Sequence, residues 1–127
     1  MLMNQREFTR VTVAIHAELR VGGNVIIHGN LENVSYNGLL LRCDATLPEQ
    51  TPCVAVLYLH GGQSGPSIKA QGMIVRHEPP AIAVQFIELI GHESAQHLRN
   101  LVLYNSGGRA DHVEKEFESH VGLRAKS

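Results

Sequence analysis

The residues from Val11 to Val21, VTVAIHAELRV, constrain the fold most. Val11, Val13, Ile15, Ala17, Leu19 and Val21 are apolar, and Thr12, His16, Glu18 and Arg20 between them are polar, with Ala14 the one exception. Successive side chains of a strand point to opposite faces, so this period of two specifies a strand with one buried face. Gly22-Gly23 follows as a hairpin turn, and NVIIHGNLENVS returns as a second strand. Gly29 in its middle predicts a bulge or a bend. GLLLRC is a third short strand, stopped by the breaker-rich DATLPEQTP, and CVAVLYLH is a fourth. After the glycine-rich loop GGQSGP comes a fifth strand, SIKAQGMIVRH, which EPP turns into a sixth, AIAVQFIEL. Six short strands joined by turn signals predict an all-β barrel or sandwich rather than alternating βα units. Closure into a barrel would also remove exposed strand edges.

After Gly91 the apolar period changes. Ala95, Leu98, Leu101 and Val102 recur at helical spacing, and NSGG stops the run, which predicts a helix from about His92 to Tyr104 packed on the barrel. The remaining RADHVEKEFESHVGLRAKS is polar, with Val113, Phe117 and Val121 every four residues. A second amphipathic helix and a frayed tail both accommodate that pattern. The expected organisation is an N-terminal arm over residues 1–10, a barrel with its packing helix over 11–104, and a tail or short amphipathic helix over 105–127.

Composition narrows the function. A chain of 127 residues with 43% hydrophobic residues forms one domain with a core that needs no staples. Its net charge of −1 argues against a binder of nucleic-acid polymers, so any anion site must be local. CVAVLYLH is too short to span a bilayer, and MLMNQREF lacks the apolar stretch of a signal peptide, so a cytoplasmic location is expected. Cys43 and Cys53 stand at no zinc or redox spacing and read as reduced, packed thiols. HESAQH places His92 and His97 five apart, about 140° off a common helix face, so they cannot share a metal from that face. GGQSGPS lacks the lysine of a phosphate-binding loop, and there is no G-x-S-x-G elbow. Neither an enzyme nor a metal site is expected.

Two stretches carry chemistry. In REFTR, on a strand, Arg6 and Arg10 share a face with Phe8, so two guanidinium groups point the same way, as toward one anion. A solvated charged arm would read the same. In NVSYNG, Asn33 offers an amide donor pair and a carbonyl acceptor, Ser35 adds a hydroxyl two residues on, and Gly38 permits a positive φ or close approach by a backbone or ligand. A plain β-turn uses the same residue types.

Taken together, Arg-x-x-x-Arg before the first strand and Asn-x-Ser-x-x-Gly across the following hairpin resemble the signature of the PilZ domain family. AQGMIVRHEPPAIAVQFIEL resembles the family's later strands, and the resemblance runs from about Arg6 to Leu103. It implies an all-β fold with a C-terminal helix, built on a six-stranded antiparallel β-barrel that binds cyclic di-GMP, a bacterial second messenger. Arg6 and Arg10 then correspond to the first motif, and Asn33, Ser35 and Gly38 to the second. Arg76 stands near the place where some relatives carry an aromatic residue against guanine. Many relatives carry a further arginine beside the first motif, and here the neighbour is Gln5. A guanidinium bonds phosphate bidentately, forks onto a guanine edge or stacks on the base, which suits such a ligand.

The implied protein is a stand-alone receptor needing no cofactor. Met1 to Thr9 hold little that could bury, so ligand is expected to order this arm over the barrel and create a surface read by a downstream protein partner. The alternative is a PilZ-like barrel that binds no nucleotide and acts as an interaction adaptor. Homodimerisation through the C-terminal segment is left open.

Overall fold

The computed structural model describes residues 8–60, 65–78, 80–107 and 125–126. Strands β1 (His16–Val21), β2 (Val25–Ser35), β3 (Gly38–Arg42), β4 (Pro52–Tyr58), β5 (Ser67–Glu78) and β6 (Ala81–Ile90) precede helix α1 (His92–Tyr104), and a short β7 (Ala125–Lys126) ends the chain. The sheet order is β3-β2-β1-β4-β5-β6, and β3 pairs with β6 to close a barrel of six antiparallel strands. The two-residue β7 joins the end of β6 in parallel, at Leu89 and Ile90. The interior is filled by Ala17, Leu19, Leu31, Val34, Leu39, Leu41, Ala55, Leu57, Ile68, Ile74 and Ile82, all nearly or wholly buried. Each large aliphatic among them contributes about 1.5–3 kcal/mol of burial.

Several expectations shift in detail. The first strand begins at His16 rather than Val11. Upstream, Val11 pairs alone with Val34, and Ile15 accepts a hydrogen bond from the Leu31 amide. In the β2–β3 ladder a register shift between Leu31 and Asn33 inserts one extra residue in β2. That bulge is not at Gly29, which pairs regularly with Ala17. A Cβ at position 29 would run into the Arg42 carbonyl and the Leu41 side chain, so glycine is required there by crowding. At the β1–β2 turn, Gly22 and Gly23 do adopt positive φ, 66° and 91°.

Helix α1 covers the expected range, but its buried stripe is Ser94, Leu98 and Val102. Ser94 belongs to it because its hydroxyl accepts the Lys69 backbone amide at 2.9 Å, tying the helix to β5. The Asn105 amide and Ser106 hydroxyl bond the carbonyls of Leu101 and Leu103 and so satisfy the helix end. Most of the segment expected as a tail or second helix lies outside the described residues, and the described part of it, beyond the end of α1 at residues 125–126, is strand.

Glu18 points outward from β1 yet is only 1% exposed. Arg20 Nε donates to its carboxylate at 2.6 Å. Burial pushes the Glu18 carboxyl up, but hydrogen bonds with Arg20 and Tyr58 and the charges of Arg20 and His28 outweigh it and hold the group below its ordinary value. A depressed pKa stabilises the fold above the unfolded-state value and loses that contribution as pH falls through the folded one. Glu18→Ala is expected to cost about 1–3 kcal/mol at neutral pH, because it removes a hydrogen-bond partner of the buried Tyr58 along with the bond to Arg20. Thermal melts at pH 7 and pH 3 should show the parent–variant gap closing in acid.

Both cysteines are free and buried. Burial pushes the Cys53 thiol up to about 11. At pH 8 about one thiol in a thousand is then ionised, and the thiolate is the reactive form. Cys53 should therefore resist a maleimide in the native protein and react on unfolding, as peptide mass mapping would record.

Candidate ligand-binding face

Directly paired strand residues share a face, and the pairings carry two outward rows across β2, β3, β6 and β5. One row runs Asn33, Leu40, Ala83, Arg76 and the other Ser35, Gly38, Gln85, Met73. The rows bring residues far apart in sequence onto one side of the barrel. The middle positions are Leu40 and Ala83 in one row and Gly38 and Gln85 in the other, and this face of the barrel is the shelf between Asn33 and Arg76.

The first motif meets this shelf. Arg10 Nη1 donates to Asn33 Oδ1 at 2.7 Å, across 23 residues of sequence. Loss of solvent around the Arg10 guanidinium is the larger cause lowering its pKa, and the positive charge of Arg76 is the second. An arginine stays protonated at neutral pH regardless. Two like charges are thus held within electrostatic reach, each from a different element. Arg6 lies outside the described residues.

Phe8 packs against the core, its ring edge-on to Tyr36 at 6.4 Å between centroids, and Thr9 is buried. The chain is docked on the barrel from Phe8 onward, and Val11 bridges to Val34 just beyond. The remaining stretch expected to order on binding, residues 1–7, lies outside the described residues.

The second motif closes the β2–β3 hairpin. Ser35 is buried; its hydroxyl donates to Asn37 Oδ1 at 2.7 Å and accepts the Asn37 amide at 3.3 Å. Asn37 in turn accepts the Phe86 amide through its carbonyl at 2.9 Å, which pins the turn to β6. Ser35 thus shapes the hairpin tip. Gly38 is not at positive φ. A Cβ there would collide with the Val84 carbonyl oxygen of β6, so glycine lets the two backbones meet where the barrel closes. The close approach expected of Gly38 is to the protein's own backbone.

The alternation of the sequence hides one neighbour of the site. Leu31 and Val34 are both buried, and the bulge leaves Glu32 and Asn33 side by side between them, both partly exposed. Two polar residues in succession, in a strand otherwise read at period two, are the signal for it. Arg42 Nη2 donates to Glu32 Oε2 from the adjacent strand.

The barrel is closed, and Asn33, Arg76 and Gln85 lie on its outside, on strands β2, β5 and β6. The family model for the PilZ domain matches residues 4–104. The chain belongs to the PilZ domain family, a family of cyclic di-GMP receptors. Among solved structures it resembles the PilZ domain of CeSA from a cellulose-synthesizing bacterium, with a TM-score of 0.52 and 21% identity over 61% of this chain and 79% of that one. It also resembles the PilZ domain of YcgR from Escherichia coli with c-di-GMP, with a TM-score of 0.60 and 11% identity over 87% and 98%. The Bacillus subtilis inhibitor of motility, MotI/DgrA, matches with a TM-score of 0.63 and 12% identity over 82% of this chain and 53% of that one. At these identities the likeness is one of fold. No curated protein matches the sequence. Among the described residues, no helix is long and apolar enough to cross a membrane.

Proposed function

We propose that this domain is a receptor for cyclic di-GMP, bound on the outer face between Arg10, Asn33 and Arg76. The observation that carries the reading is the pairing of two arginines on that face. Arg10 is fixed by Asn33, and the positive charge of Arg76 lies within electrostatic reach of it. A ligand with two phosphodiester anions suits such a pair, since a guanidinium can bond phosphate in a fork or stack on a base. Arg6 is assigned to the same ligand, one step upstream of Phe8. Ser35 and Gly38 serve by holding the hairpin in shape beneath it. Ordering of the arm is confined to residues ahead of Phe8, and the covered face would be what a protein partner reads.

The thermal melt tests this. A ligand that binds only the folded state adds about 2.7 kcal/mol at a hundred times its Kd, a rise on the order of 10 °C for a domain of this size. No rise at high micromolar cyclic di-GMP would favour a barrel that acts as an adaptor without nucleotide.

A further inference from the structure

We propose that Glu32 is the residue that selects the base: its carboxylate accepts from the N1–H and 2-amino groups of a guanine seated in the groove beside Asn33. The inference rests on the nucleotide-receptor reading above and adds a specificity determinant that neither sequence motif contains.

The groove lies between residues 12–14 and the bulged part of β2. Val11 is anchored to Val34 and Ile15 to Leu31, and between these anchors residues 12–14 leave the ladder. The opening measures about 410 Å³ and is lined by Thr12, Val13, Ala14, Leu31, Glu32 and Asn33. Val13 and Ala14 offer apolar surface for the face of a flat ring. Glu32 and Asn33 offer polar atoms for its edge, and they stand together only because the extra residue turns both outward.

The donor pattern fits one purine. The Watson–Crick edge of guanine presents N1–H and the 2-amino group side by side, and a base reached out of a stack is read on that edge. A carboxylate has about four acceptor sites and no donor. The bond from Arg42 uses one, on Oε2, and orients the group. Asn33 accepts from Arg10 through Oδ1, which leaves its Nδ2 donors for O6 of the same base. Adenine would set a lone pair against the carboxylate, and hypoxanthine would lack the 2-amino donor. A site built around a hydrogen bond discriminates strongly against an analogue that lacks it.

The test uses cyclic di-GMP and its inosine analogue, cyclic di-IMP, titrated into the parent, Glu32→Gln and Arg10→Ala. The parent is expected to prefer cyclic di-GMP by about ten-fold, the worth of one good hydrogen bond. Glu32→Gln keeps an oxygen acceptor for Arg42, and it is expected to melt like the parent without ligand. It should weaken cyclic di-GMP by about ten- to a hundred-fold and shrink the preference over inosine toward unity. Arg10→Ala should weaken both ligands alike and keep the preference. A parent that binds both ligands equally overturns the assignment without any variant, and so does a Glu32→Gln protein that keeps the parental preference. A parent that binds neither ligand overturns the receptor reading itself, and this assignment with it.

Discussion

Gly38→Val should unfold the barrel more readily than any other single change on this face. The new Cβ would meet the Val84 carbonyl oxygen of β6, a backbone atom that no rotamer change can move aside. Gly38 pairs with Gln85 at the first step of the β3–β6 ladder, the seam that closes the barrel. Overpacking of this kind costs about 1–3 kcal/mol and more where the backbone must give. Separating two paired strands puts this case at the upper end, a loss in Tm on the order of 10 °C. Gly38→Ala should be nearly as harmful, because the clash is with the first side-chain carbon and the backbone there has no positive φ to relieve. Circular-dichroism melts decide the point. An alanine variant that melts with the parent would show that the strands do not approach so closely.

Arg10→Ala should act on binding instead. The side chain is exposed and bonded to Asn33, so its removal takes away a polar contact at the edge of the barrel and no core packing. The melt without ligand should move little. Cyclic di-GMP should lose a charged partner worth about 1.5–3 kcal/mol, which is roughly ten- to a hundred-fold in Kd. Arg10→Lys should recover only part of that loss, since an ammonium keeps the charge but lacks the planar fork. Calorimetric titration of the three proteins gives the comparison. Full recovery by lysine would mean that charge alone is recognised.

Much of the barrel is legible in the sequence, because six short runs are separated by turn signals and the first alternates clearly enough to name its buried face. The helix is legible for the same reason at a different period, and its observed range, His92–Tyr104, follows the spacing of Leu98 and Val102. Ser94 escapes that reading, since its place on the buried stripe depends on an amide of β5. The site is legible only as two motifs. The meeting of Arg10 with Asn33 spans 23 residues, and the nearness of Arg76 follows from register across β2, β3, β6 and β5. Neither distance is encoded locally. The bulge sets Glu32 beside Asn33, and β1 starts only at His16; an alternation read through to Val11 passes over both. Gly38 illustrates a further limit, because the sequence marks a position where only glycine fits and leaves open whether a left-handed backbone or a neighbouring strand excludes the Cβ.

The most direct test of the central claim is an amide-resolved NMR titration of the parent protein with cyclic di-GMP. Binding on the outer face of β2, β3, β5 and β6 predicts saturable shifts at Arg10, at Glu32 to Gly38, and at Arg76 and Ala83. Residues on the opposite outer face, such as Glu18, Val54 and Lys69, should stay in place. An unchanged spectrum at high micromolar ligand, or shifts centred on Glu18 and Lys69, would contradict the account.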